Sequence, residues 1–260
     1  LAATSLLLRA STLTPERRNF INIVSFGGGT NSAALLVGLY QHHIPVDLIL
    51  FADTGAEHPH TYHFIRQMDE WLTAHGMPQI TVVEKFDRYG NRLTLEMECL
   101  CSHTLPSIAY GHKRCSQKHK IGPQEKFCNQ YAPCRAVWKR GGKINRYIGY
   151  DAGEMKRYLH SKKFNETDKK YNNHYPLIEE WGWSRNDCVR VIQMAGLPQP
   201  GKSSCFFCPS MKQQEILDLK QHHPALYQRA LALEANAMPY LKTVKGLGRN
   251  YSWQERFGKE

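Results

Sequence analysis

No apolar run in the sequence approaches the roughly 20 residues that a membrane-spanning helix requires, so no transmembrane helix is expected. Cysteine is sparse, with eight in 260 residues. That is too few, and too unevenly spaced, for a disulfide scaffold. The glycine triplet Gly27-Gly28-Gly29 is not followed by Gly-Lys-Ser/Thr, which excludes a Walker phosphate loop. The dinucleotide pattern G-x-G-x-x-G is absent too. Acidic residues are outnumbered, 23 against 34 Lys and Arg, for a net charge of +11. An excess of that size favours a polyanionic partner, nucleic acid above all, because Lys and Arg neutralise phosphates and release counterions. The bland alternative is a basic, solvated surface.

What is present reads as alternating strands and helices. Ile21 to Phe26 is short, β-branched and apolar, as a buried parallel strand should be. The triplet breaks it, and Asn31 to Tyr40 has the composition of a helix. Val46 to Ala52 is a second strand, ending at Asp53-Thr54-Gly55. A helix from about His60 to Ala74 carries Phe64, Ile65, Met68, Trp71 and Leu72 on one stripe. Ile80 to Val83 and Asn145 to Tyr150 supply two more strands. The alternation predicts an α/β fold with a doubly wound, mainly parallel sheet; these four strands are expected to belong to a five-stranded, Rossmann-like sheet.

Residues 91–142 look irregular, and the charged stretch 156–173 looks like a mobile loop. Ser184 with Asp187 suggests a capping box for a helix ending near Ala195. Two further helices are expected, about Met211 to His222 and Pro224 to Ala235. The expected division is a disordered leader over residues 1–19, a nucleotide-binding domain over 20–200, and a cysteine knuckle with helices over 201–260. That last part should pack on the same domain.

A strand, three glycines and a helix N-terminus make an anion site, since glycine lets backbone N–H groups approach phosphate oxygens. Ser25, Gly27, Gly28, Gly29, Thr30, Asn31 and Ser32 are therefore candidate nucleotide contacts, although a tight turn alone would explain the triplet. Asp53, Thr54 and Gly55 fall at the carboxyl end of the second strand, where ligands of open α/β sheets bind. Asp53 could meet a ribose hydroxyl or a magnesium ion, or serve as a turn residue.

The order of motifs resembles the phosphoadenosine phosphosulfate reductase branch of the PP-loop ATP pyrophosphatases. Gly27 to Ser32 is similar to the S-G-G-x-D-S loop, and Asp53-Thr54-Gly55 through Thr61-Tyr62 to the D-T-G…E-T-Y segment. Arg114-Cys115 to Pro123 resembles C-C-x-x-x-K-x-x-P. Gly149 to Glu154 with Arg157 resembles G-x-R-x-x-E-S…R. Tyr175-Pro176-Leu177 through Trp181, Asp187 and Gly196-Leu197-Pro198 resembles P-L-x-x-W…D-V…G-L-P, and Cys205-x-x-Cys208-Pro209 the late C-x-x-C-P. Departures are Gly27 for the loop's first Ser, Asn31 for its Asp, one missing Cys beside Cys115, and Asp151 for the usual Arg.

The resemblance implies a nucleotide site for ATP and Mg2+, with Ser32, Asn31, Asp53 and Arg157 as catalytic candidates and Gly149 as a further contact. It implies a 4Fe-4S cluster, or alternatively zinc, on Cys115, Cys205 and Cys208. Cys188 is the first choice for a fourth ligand, with Cys99 and Cys101 as competitors. Cys128 and Cys134 are expected to pack or to sit on the surface. His58, His60 and His63 form a weaker candidate metal group. The implied activity is adenylation of a nucleic-acid group, in DNA phosphorothioation or tRNA thiolation, followed by sulfur transfer. Partners would be nucleic acid and a sulfur donor such as a cysteine desulfurase, in the cytoplasm, with an oligomer conceivable. Sulfonucleotide reductase chemistry is disfavoured because no Cys follows Cys208. A nucleotide-binding or nucleic-acid-binding module without catalysis is the third reading.

Overall fold

The computed structural model describes residues 20–258, so the leader expected over residues 1–19 lies outside the described residues. The chain forms two compact units whose segments alternate along the sequence. The first holds residues 20–51, 59–82 and 124–203; the second holds 52–58, 83–123 and 204–258. The expectation is a nucleotide-binding domain over 20–200 with residues 201–260 packed on it. The second unit instead draws in two earlier segments as well, because a loop excursion can join a core distant in sequence.

The strands are β1 (Asn22–Phe26), β2 (Leu48–Asp53), β3 (Ile80–Glu84), β4 (Ile144–Ile148) and β5 (Tyr171–His174). They form one five-stranded sheet in the order β3-β2-β1-β4-β5. β1 runs parallel to β2 and β4, and β4 parallel to β5. The main helices are α1 (Thr30–Gln41), α2 (Pro59–Ala74), α3 (Leu95–Cys101), α4 (Gly122–Gln130), α5 (Ala132–Lys139), α6 (Met155–Asn165), α7 (Arg185–Met194), α8 (Gln213–His222), α9 (Pro224–Ala237) and α10 (Trp253–Phe257). The α/β class and the parallel, doubly wound sheet are as the alternation predicts. Among the described residues no helix is long and apolar enough to cross a membrane.

The first unit is organised around α1. Ala33 to Val37 and Leu39 are buried without interruption, which is why this segment is apolar on every side rather than striped. Trp181 and Trp183 pack on it with ring centroids 4.7 Å apart. They reach its backbone only because Gly38 has no side chain: a Cβ there would lie 2.4 Å from Trp181. The two tryptophans thus fill the core around α1. α7 begins with the expected capping box, Ser184 and Asp187 each satisfying the other's backbone.

The stretch 156–173 is not a loop. It contains α6 and the edge strand β5. The polar sequence misled because α6 buries mainly Tyr158, and Lys and Arg are good helix formers on an exposed face. β5 is built from Tyr-Asn-Asn-His, and its Asn173 amide N–H is taken by the Asn165 side chain at 2.8 Å. Likewise 91–142, irregular in sequence, contains α3, α4 and α5.

Candidate functional site

The turn after β1 is fixed by steric necessity. Gly28 has φ of +73°, and a Cβ there would come 2.9 Å from Thr61 Cγ2. Both conditions select glycine. Gly149, just past β4, faces the start of α1 so closely that a Cβ would lie 2.7 Å from the carbonyl oxygen of Asn31. Ser32 is buried and its hydroxyl donates to the carbonyl of Gly29 at 3.0 Å. Thr30 is buried beside it. The Ser25 hydroxyl donates to Gln124 at 2.9 Å. Ser203 folds over the turn, its hydroxyl donating to the carbonyl of Gly27.

Asn31 is held from three sides. Its amide donates to Asp151 Oδ2 and to Glu154 Oε2, both at 2.9 Å. Its Oδ1 accepts from Arg185 at 2.8 Å. Asp151 also accepts from the backbone of Gly153, closing the turn that leads into α6. Arg157 pairs with Glu154 and stacks 4.4 Å over the Tyr150 ring. Burial opposes the charge on that guanidinium, but Glu154 outweighs it and its pKa is raised. Asn31 and Ser32, on α1, therefore share the first unit with Arg157 on α6 and with Gly149. Arg185, Ser203 and the pairing of Asp151 with Asn31 were not read from the sequence. The signal for Asp151 was present, since it lies two residues after Gly149, just past the end of β4.

The second unit holds the other candidates. Asp53 Oδ1 accepts from the Gly55 amide at 2.8 Å, and Oδ2 accepts from Arg92 at 2.7 Å. Arg92 also reaches Glu84 at 2.7 Å. Gly55, with φ of +70°, would place a Cβ 2.4 Å from Thr94. The Thr54 hydroxyl lies 3.4 Å from Cys205 Sγ and donates to Glu57 at 3.3 Å. Glu57 is wholly buried and pairs with Lys120 at 2.8 Å. The Lys120 ammonium is held above its usual pKa: burial works against it, and the charge of Glu57 prevails. Burial pushes the Cys205 thiol well above the ordinary range, and Glu57 adds to the shift.

The four cysteines proposed as ligands are not one constellation. Cys188 is buried in the core of the first unit among Val191, Ile192 and Leu197, and burial there pushes its thiol up to about 12. Cys115, Cys205 and Cys208 belong to the second unit, with Cys99. Among the described residues no three His, Cys, Asp or Glu side chains gather as a metal site. His60 bonds the carbonyl of Lys202 at 3.1 Å, His63 lies 3.4 Å from Arg66, and His58 sits edge-on to His223. Among the described residues Cys115, Cys188, Cys205 and Cys208 do not form the expected four-thiolate set. Cys128 and Cys134 are buried in the first unit and hydrogen-bonded to each other.

Beside these thiols the second unit contains a cavity of about 280 Å³. It is lined by Leu95, Leu105 and Pro106, by the hydroxyls of Ser102, Thr104 and Ser107, and by charged and thiol groups. Those are Glu98, Cys99, Arg114, Cys115, Lys118 and His119. Burial would raise Glu98, but hydrogen bonds from Lys118, Lys85 and His119 bring its pKa down to about 2. Burial lowers His119 below the usual imidazole value despite Glu98. Sequence reasoning missed this cavity, since its lining comes from α3 and from the turns before α4.

No protein-family model matches the chain. A curated relative, the uncharacterized nin region protein ORF290 of Escherichia phage lambda, is 29% identical over 160 residues. That covers 53% of this chain and 50% of the phage protein, so the chain spans about half the length of the curated relative it matches. A solved structure, the U34-tRNA thiolase NcsA from Methanococcus maripaludis with its 4Fe-4S cluster, matches with a TM-score of 0.44 and 14% identity. The match covers 98% of this chain and 86% of that one. A likeness of that size fixes neither activity nor ligand for this chain.

Proposed function

We propose that this chain is an enzyme that binds ATP at the turn after β1 and uses it to activate a nucleic-acid group by adenylation for sulfur transfer. The observation that carries the reading is the pinned start of α1. Gly28 and Gly149 leave no room for side chains, and Asn31 is clamped by Asp151, Glu154 and Arg185. A turn held this tightly keeps its amides aimed without reorganisation, which is what stabilising a departing pyrophosphate demands.

In the proposed reaction an oxygen of tRNA or DNA attacks the α-phosphorus of ATP, and pyrophosphate leaves. Sulfur then displaces AMP from the activated group. The backbone of Gly27 to Ser32 would hold the phosphates, with the hydroxyls of Ser32 and Ser203 turning from the carbonyls of Gly29 and Gly27 to donate to them. Arg157 and Arg185 would supply positive charge. DNA phosphorothioation and tRNA thiolation are the two acceptor classes, and the net charge of +11 supports a polyanionic acceptor.

The test is ATP binding by calorimetry together with pyrophosphate release in the presence of tRNA or duplex DNA. ATP binding and acceptor-dependent release are expected from the wild type. Gly149→Ala should weaken ATP binding tenfold or more, which corresponds to roughly 1.4 kcal/mol. ATP binding without release on any acceptor would leave a nucleotide-binding module, and sulfite release from a sulfonucleotide would point to a reductase. Iron analysis of anaerobically prepared protein decides separately whether the implied cluster exists.

A further inference from the structure

The cavity between α3 and the helical turns at Arg114–Ser116 and Gln117–Ile121 is not used by the nucleotide chemistry above. Its charges do not balance. Glu98 is negative, while Lys118, Arg114 and nearby Lys85 are positive. His119 is buried, and its Nε2 lies 2.6 Å from Glu98 Oε2. An ionised carboxylate only accepts, so Nε2 carries the ring proton and donates it to Glu98. Nδ1 is then a lone pair, buried, with no hydrogen-bond partner among the described residues. An orphaned buried acceptor of this kind points to a missing ligand or water.

Two thiols line the same space. Cys99 is buried, whereas Cys115 is only partly buried and its backbone N–H donates to the Ser107 hydroxyl at 2.7 Å. Cys115 lies in the short helix Arg114–Ser116, which runs on into a π-helical turn, Gln117–Ile121, a distortion frequent at functional sites. A space with surplus positive charge, apolar walls and a reachable thiol suits a small anion that carries a soft sulfur atom. Hard anions such as phosphate gain nothing from Leu95, Leu105 and the thiols.

We propose that this cavity binds an anionic sulfane-sulfur donor and that Cys115 takes the outer sulfur from it. The inference rests on the sulfur-transfer reading and names the class of donor that reading requires. With thiosulfate as the donor, the Cys115 sulfur bonds to the outer sulfur and the donor's S–S bond breaks. The bonding pair leaves with sulfite, which takes the proton given up by the thiol. The products are a Cys115 persulfide and hydrogen sulfite, and no oxidant or reductant enters.

The full chain is incubated with thiosulfate alone, without nucleotide or nucleic acid. Sulfite release is measured, and the added sulfur is located by peptide mass spectrometry. One sulfur on the Cys115 peptide is expected, with stoichiometric sulfite. Cys115→Ser should abolish both, and Cys101→Ser, which alters an exposed thiol, should leave them unchanged. Lys118 is 58% exposed, so Lys118→Gln should fold normally and slow loading about threefold to tenfold at low salt. Sulfur located on another cysteine, absent sulfite, or full loading in Cys115→Ser overturns the proposal. Because the assay contains no ATP, its failure leaves nucleotide binding at Gly28 and Gly149 standing, and the reverse holds as well.

Discussion

The glycine turn of the first unit and the thiol region of the second solve the same problem differently. Each must hold polar groups in a fixed array beside a core. The turn does so by subtraction: glycine at 28 and 149 removes every atom that would push the backbone away, and neutral Asn31 is placed among charges. The second unit does so by addition, burying Glu57 against Lys120 and tying Glu98 to three nitrogen donors. An array built by subtraction is broken by added bulk. One built by paired charges is broken by removing a partner, and it responds to pH.

The largest effect should come from Glu57→Gln. Glu57 is wholly buried and the Lys120 side chain is 31% exposed. Removing one partner of such a pair leaves the other charge uncompensated. Loss of about 3 kcal/mol is expected, at the lower end of the usual range because Lys120 keeps some water. Urea denaturation measures it, and the double variant Glu57→Gln/Lys120→Met should recover most of the loss. Stability unchanged in Glu57→Gln would show that the second unit does not depend on buried charge.

Acid should separate the two regions next. Glu98 is depressed to about 2 from an ordinary value of 4.5. A depressed carboxylate adds stability above its unfolded value, and that stability is lost as pH falls through the folded one. The window is therefore from 4.5 down to about 2. Full conversion gives about 3 kcal/mol, and partial exposure of Glu98 brings the expected loss to about 2 kcal/mol. Glu98→Gln should remove this part of the acid sensitivity, read as a flatter plot of urea midpoint against pH. Gly149→Ala should leave the slope as it is in the wild type. Parallel slopes for wild type and Glu98→Gln would refute the assignment.

This contrast also explains what could be read in advance. Strand and helix order around β1, α1 and β2 was legible because β-branched runs, glycine and alternation act locally. The capping box at Ser184 was legible for the same reason. The helix α6 and strand β5 were hidden, since their polar residues face solvent or pair with each other. At the turn, the glycines were visible, but the clamp on Asn31 was not: its partners lie 120, 123 and 154 residues away. The cavity was the least legible part. Its thiols and charges carry no spacing signal, because packing rather than periodicity brings Cys99 and Cys115 to one wall. Cys188, expected as a fourth ligand from its place on the helix before the knuckle, lies in the core of the first unit.

The smallest effect asks why position 31 is neutral. In the resembled loop this position is Asp. Here the Asn31 amide nitrogen lies 2.9 Å from both Asp151 Oδ2 and Glu154 Oε2. Asn31→Asp replaces that donor with a second acceptor and brings three carboxylates together. Like charges at this distance repel, while Arg185 and Arg157 offset part of the cost, so a loss of about 1 kcal/mol is expected. A divalent cation would reverse the sign by bridging the carboxylates, as magnesium does when held by oxygen ligands. Thermal melts of Asn31→Asp should therefore rise on adding magnesium, while those of the wild type should not. Equal magnesium response in both proteins would mean that Asp151 and Glu154 already bind the ion with Asn31 in place. In that case the amide would be a ligand rather than a substitute for one.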